Sequence, residues 1–330
     1  MQRIITFCSL IIIYSSFIGC APDDALDVSN IDANVNIHRF DLAFFALDTA
    51  NFSQQIQSLK EKGGFDVFFD NQQADGFWRS QRTLEFMNAL AEDAARIYPD
   101  DKRLQIEIKD LWRHYRYLFP NAPETLNVYT YISGLDFDFP VIYVDSIATL
   151  FVALDLYLGE DHPAYAKQAD YLNSRHTAEY MLVDIAKSMI DPWLNRRASD
   201  LALINDMVYY GKQTYVVNLM LPGKTAYDVL RYTKEDATFC IDNERMIWRF
   251  MIEQDLLFDQ RADLKRRFTE EAPFSKFYMA FDNETPGRIG RWIGWRIVSA
   301  YMTRHPDKEL IDLMQMNDHR QLFSQSRYKP

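Results

Sequence analysis

The chain has 330 residues, a formal net charge of −11 with histidines neutral, and 48% apolar and 15% aromatic residues. An acidic balance of this size disfavours nucleic acid as a partner and direct electrostatic docking on anionic headgroups. The apolar content supports a large buried core, while only 11 Gly and 12 Pro exclude a fibrous or disordered chain.

Arg3 precedes a mostly apolar run over residues 4–18. That run is shorter than the roughly 20 residues a membrane-spanning helix needs, and it has the form of a secretory signal. Phe17-Ile18-Gly19-Cys20 resembles the lipobox of bacterial lipoproteins, with Phe17 where leucine is usual. The resemblance implies cleavage after Gly19, lipidation of Cys20, and attachment to the membrane through that lipid. Residues 1–19 thus read as a lipoprotein signal peptide, and residues 20–34, polar and acidic, as a lipidated tether. Cys8 would leave with the signal, so Cys240 would be the one thiol not carrying lipid, and no internal disulfide is expected.

Val35–Arg39 is a candidate strand. Leu84, Met87, Leu90, Ala91, Ala94 and Ile97 fall at helical spacing over 83–98, ended by Pro99. Leu104, Ile108, Leu111, Tyr115 and Leu118 do the same over 102–119, ended by Pro120. Runs over 126–132, 140–144 and 149–156 are β-branched or aromatic and predict a small antiparallel sheet. Beyond Gly159 the pattern is helical, over roughly 163–173, 175–191, 199–220, 225–231, 234–257, 261–271, 288–304 and 307–316. Thr233 with Asp236 three residues on predicts a capped helix start. Residues 35–330 read as a single, predominantly helical α+β domain with a C-terminal helical bundle.

Several strings together are more specific than any one. They are Val35-Asn36-Ile37-His38-Arg39-Phe40-Asp41, Tyr131-Ile132-Ser133-Gly134, Gly211-Lys212-Gln213-Thr214-Tyr215, Asn243-Glu244-Arg245-Met246-Ile247-Trp248, the stretch Pro286 to Val298, and the final Tyr328-Lys329-Pro330. In this order they resemble the gliding motility lipoprotein GldB family of the Bacteroidota. The resemblance implies a cell-envelope lipoprotein, membrane-attached and facing the periplasm. Its implied partners are proteins of the gliding machinery and the secretion apparatus linked to it, with no assigned reaction. The order of elements also resembles, distantly, gluzincin-type zinc peptidases. Their His-Glu-x-x-His motif is absent, and Tyr210 stands where the downstream metal ligand would be, which implies a degenerate scaffold.

Of the chemistry-bearing residues, His176 and Glu179 have helical i,i+3 spacing, with Glu244 as a conceivable third ligand. At a helix start His176 reads better as an exposed, capping-type residue. No Gly-x-Ser-x-Gly, phosphate loop or dinucleotide pattern occurs, so no cofactor and no catalytic residue is assigned. Gly290 and Gly294 clear one stripe of a helix for close packing, with Trp292 and Trp295 flanking it. Arg288, Arg291, Trp292, Trp295 and Arg296 then have two readings, helix packing or a partner-binding surface. Arg288 has a further one, pairing with a buried carboxylate. Glu244 is expected to meet Lys212 or Arg288 as a structural ion pair, and Cys240 to be a buried small apolar residue. The expected function is non-catalytic protein binding in the envelope; the alternative is a lipid-anchored peptidase-like hydrolase with an altered site.

Overall fold

The structure, a computed structural model, describes residues 26–62, 64–69, 73–194 and 201–330. The signal segment and Cys20 lie outside the described residues. The strands are β1 (Asn34–Arg39), β2 (Thr125–Tyr131), β3 (Val141–Val144) and β4 (Thr149–Ala153), in the sheet order β1-β2-β4-β3. The sheet is mixed rather than antiparallel: β1 pairs parallel with β2, β2 parallel with β4, and only β3 antiparallel with β4. The first parallel pairing follows from the helical crossover between β1 and β2, because parallel neighbours need a long connection.

That crossover contains α1 (Glu85–Ile97) and α2 (Lys102–Leu118). The helical pattern over 83–98 breaks at Leu84, whose extended backbone (ψ 120°) separates α1 from the preceding helix Asp75–Thr83. Alternation along β2 divides its side chains. Leu126 and Val128 enter the main core, whereas Tyr129 and Tyr131 meet an aromatic layer of Phe40, Phe44, Phe52, Phe65 and Trp78 on the opposite face.

The remaining long helices are α3 (Ala178–Ile190), α4 (Leu203–Met220), α5 (Lys234–Glu253), α6 (Ile289–Arg304) and the short α7 (His319–Ser326). Thr233 caps α5 through a reciprocal box with Asp236, as the spacing predicts. Helix α4 is buried nearly all round and serves two cores. Leu203, Ile204, Met207 and Val208 join the C-terminal bundle; Val216, Val217 and Met220 join the core beneath the sheet. Among the described residues no helix is long and apolar enough to cross a membrane.

Candidate functional site

The region around α6 gathers most of the residues singled out from the sequence, but it divides them. Its glycine stripe meets two backbones, Gly290 the Phe268 carbonyl and Gly294 helix α4. A Cβ built on Gly294 would lie 1.7 Å from the Met207 carbonyl oxygen, and one on Gly211 would lie 2.3 Å from Gly294. Backbone meets backbone there, so close packing is the reading the glycines satisfy. Trp292 is 1% exposed and belongs to the bundle core.

Arg288 and Arg291 turn inward. Arg288 Nη1 lies 3.5 Å and Arg291 Nη1 3.3 Å from Glu271 Oε1, and Arg231 Nη2 lies 2.5 Å from Glu271 Oε2. Arg291 also donates to the Thr269 carbonyl at 2.5 Å and stacks over Tyr210 at 4.2 Å. The carboxylate that Arg288 meets is therefore Glu271, which is half-buried rather than buried, and Arg291 is not on an exposed face. Burial pushes the Glu271 carboxyl up, but the guanidinium groups of Arg288, Arg231 and Arg291, with Lys187, outweigh it and hold the pKa at about 2.

The other end of α6 faces out. Arg296 pairs with Glu244 (Nε to Oε1, 2.8 Å), and the Tyr328 hydroxyl donates to the same oxygen at 2.7 Å. Glu244 thus meets neither Lys212 nor Arg288; its partners come from the middle of α6 and the C-terminal tail. Trp295 and Arg296 line a cavity of about 1030 Å³ with Tyr215 of α4, Arg304, Arg327 and Tyr328. No Asp or Glu occurs among its described lining residues. An adjoining cavity of about 550 Å³ shares Arg296, Arg304, Arg327 and Tyr328.

Lys212 is fully buried and donates to the carbonyl oxygens of Met314 and Met316 at 3.1 and 2.9 Å. Burial lowers its pKa to about 8. It closes the C-terminal end of the helix Leu310–Gln315, a place that favours a cation. Cys240 is buried as expected, and burial raises its thiol pKa well above the ordinary value.

His176 is neither exposed nor a cap. Thr177 caps α3, accepting from Tyr180 N, while His176 is 1% exposed and stacks on Tyr165 at 4.0 Å. His176 Nδ1 lies 2.8 Å from the Leu156 carbonyl oxygen and must donate to it; Nε2 then accepts from Gln168 at 2.9 Å. Both ring nitrogens are engaged, and burial lowers the pKa to about 4. Glu179 instead points outward to Arg103 at 3.3 Å. The two residues do not converge, and among the described residues no three His, Cys, Asp or Glu side chains form a metal-holding group.

Arg231, Glu271, Arg304 and Arg327 escape the sequence reading, because none belongs to a recognisable motif. A family model described as gliding motility protein GldB matches residues 22–330. No curated protein and no solved structure matches the chain.

Proposed function

The chain belongs to the GldB family of gliding motility proteins, and from that premise we propose that it acts in the cell envelope by binding a partner protein, without catalysis. In this reading Cys20 carries the lipid anchor, the folded part faces the periplasm, and the partner belongs to the gliding apparatus or its linked secretion machinery. The observation that carries the binding reading is the cavity between α4, α6 and the tail. It combines Trp295, Tyr215 and Tyr328 with Arg296, Arg304 and Arg327 and has no acidic residue in its described lining, in a chain of net charge −11. Aromatic and arginine side chains are the usual anchors of protein interfaces, and charge complementarity points to an acidic segment of the partner. The hydrolase alternative gains no such support, since His176 and Glu179 face different neighbours.

The test replaces the native copy in a gliding host. Arg327→Glu reverses an exposed charge at the cavity mouth, and Thr303→Trp fills the cavity from the exposed face of α6. Each variant is expected to accumulate normally, keep its melting temperature, and abolish gliding. Normal gliding with both variants at normal protein level would remove the cavity as the partner site.

A further inference from the structure

The inward cluster does not balance its charge. Three guanidinium groups share the single Glu271 carboxylate, and Lys187 adds to the positive field on it. The side chains of Arg231, Arg288 and Arg291 are only 5, 10 and 14% exposed. Asp184 is another acid nearby; burial raises its pKa, and it accepts from the Tyr157 hydroxyl at 2.9 Å. Nε and Nη1 of Arg231 and Nε of Arg288 are buried with no hydrogen-bond partner among the described residues. Unmatched buried cations and unmet donors are both costly, and this acidic chain has many carboxylates that could have been placed there.

The seat is nevertheless built with care. Each guanidinium lies over a tyrosine ring: Arg231 over Tyr180 at 5.0 Å, Arg288 over Tyr232 at 5.8 Å, and Arg291 over Tyr210 at 4.2 Å. These faces hold the cations in place without neutralising them. Arg231 and Arg288 both take a left-handed backbone (φ 55° and 60°), a conformation that strains a residue bearing a Cβ and that collects at functional sites. Glu271, on a bend after the helix Asp263–Phe268, is the most exposed member at 32%. Lys187 bonds the Tyr180 hydroxyl and also lines an open cavity of about 390 Å³ along β3.

We propose that Arg231, Arg288 and Arg291 form an oxyanion-binding site, occupied at rest by the Glu271 carboxylate, which an external phosphate or carboxylate group displaces. Guanidinium forks match both oxyanions in geometry. The excess of two positive charges left by Glu271 favours a doubly charged ligand, so phosphate is expected to bind more tightly than a monocarboxylate. This site is separate from the partner cavity, and neither proposal depends on the other.

The test is calorimetric titration of the full chain in chloride buffer with inorganic phosphate and, separately, N-acetylglycine and its amide. Saturable one-to-one binding is expected. Glu271→Gln, which removes the competing charge, should tighten phosphate binding at least about tenfold, near the low end of the range that one unit charge a few ångströms away spans between water and a protein surface. Arg291→Lys keeps the charge but loses the fork, and should weaken binding by a similar factor. Glu271→Asp, shorter but still charged, also tightens binding and serves if the glutamine variant does not fold. Tighter binding of phosphate identifies a phosphate source; tighter binding of N-acetylglycine, lost in the amide, identifies a carboxylate source. If neither phosphate nor N-acetylglycine saturates the wild type or either Glu271 variant, the proposal is overturned, as it is by unchanged affinity in Arg291→Lys.

Discussion

The two ends of α6 carry the same residue types and use them in opposite ways. At its start, Arg288 and Arg291 are drawn under the surface onto Glu271, and Trp292 is sealed in the bundle core. Little more than a turn later, Trp295 and Arg296 line an open cavity, and Arg296 shares Glu244 with Tyr328. What changes between them is the neighbour. The inward end meets α4 and the segment after the helix Asp263–Phe268, whereas the outward part meets Glu244 of α5 and the C-terminal tail beside an open cavity. An arginine on this helix is thus a buried charge or a docking group according to the backbone laid against it.

Breaking the contact between α4 and α6 should have the largest effect. Gly294→Ala puts a methyl group 1.7 Å from a backbone oxygen of Met207, which no rotamer change can relieve. Overpacking usually costs about 1–3 kcal/mol, and this case is expected to exceed that range because backbone must move. The variant should accumulate poorly as native protein. A Gly294→Ala protein that melts within a few degrees of wild type would show that the helices separate easily and that the inward end is not held rigidly.

Arg291→Glu comes next and sharpens the comparison by reversing the charge at the inward end. It sets a second carboxylate beside Glu271 and removes the bond to the Thr269 carbonyl. Disrupting one member of a buried ion cluster typically costs about 3–5 kcal/mol, so a large fall in melting temperature is expected. The matched change at the outward end, Arg327→Glu, should leave the melting temperature where it was. Equal effects on stability from the two substitutions would erase the distinction between the two ends.

The sequence shows the elements better than their neighbours. Pro99 and Pro120 mark the ends of α1 and α2, the Thr233–Asp236 spacing marks the start of α5, and the spacing of Gly290 and Gly294 announces a close helix approach. Strand direction is hidden, since an apolar run reads the same whether its partner is parallel or antiparallel; the clue was the helical crossover between β1 and β2. Helix α7 is missed although Asp318 caps it by accepting from Gln321 N, because two adjacent apolar residues, Leu322 and Phe323, give no period. The basic cluster is the least legible part. Arg231 and Glu271 meet across 40 residues, and Arg291 looks exposed only if α6 is assumed to have a solvent face at that end. Periodicity cannot reveal that a third segment covers it.

The smallest expected effect tests the hinge between the two roles, the Glu244 carboxylate at the outward end. Tyr328→Phe keeps the ring, which packs edge-on against Trp248 at 5.0 Å, and deletes only the hydroxyl that donates to Glu244 Oε1. Arg296 still reaches both oxygens of that carboxylate, so no charge is orphaned. The loss should be about 1 kcal/mol, the ordinary worth of one hydrogen bond when its acceptor keeps another partner. It is read as a small shift in denaturation midpoint with an unchanged slope. The inward cluster shares no hydrogen bond with Tyr328, so affinity for phosphate should be unaltered in this variant. A change there would mean that the two ends of α6 are coupled through the helix, and that the partner cavity and the oxyanion seat report on one another.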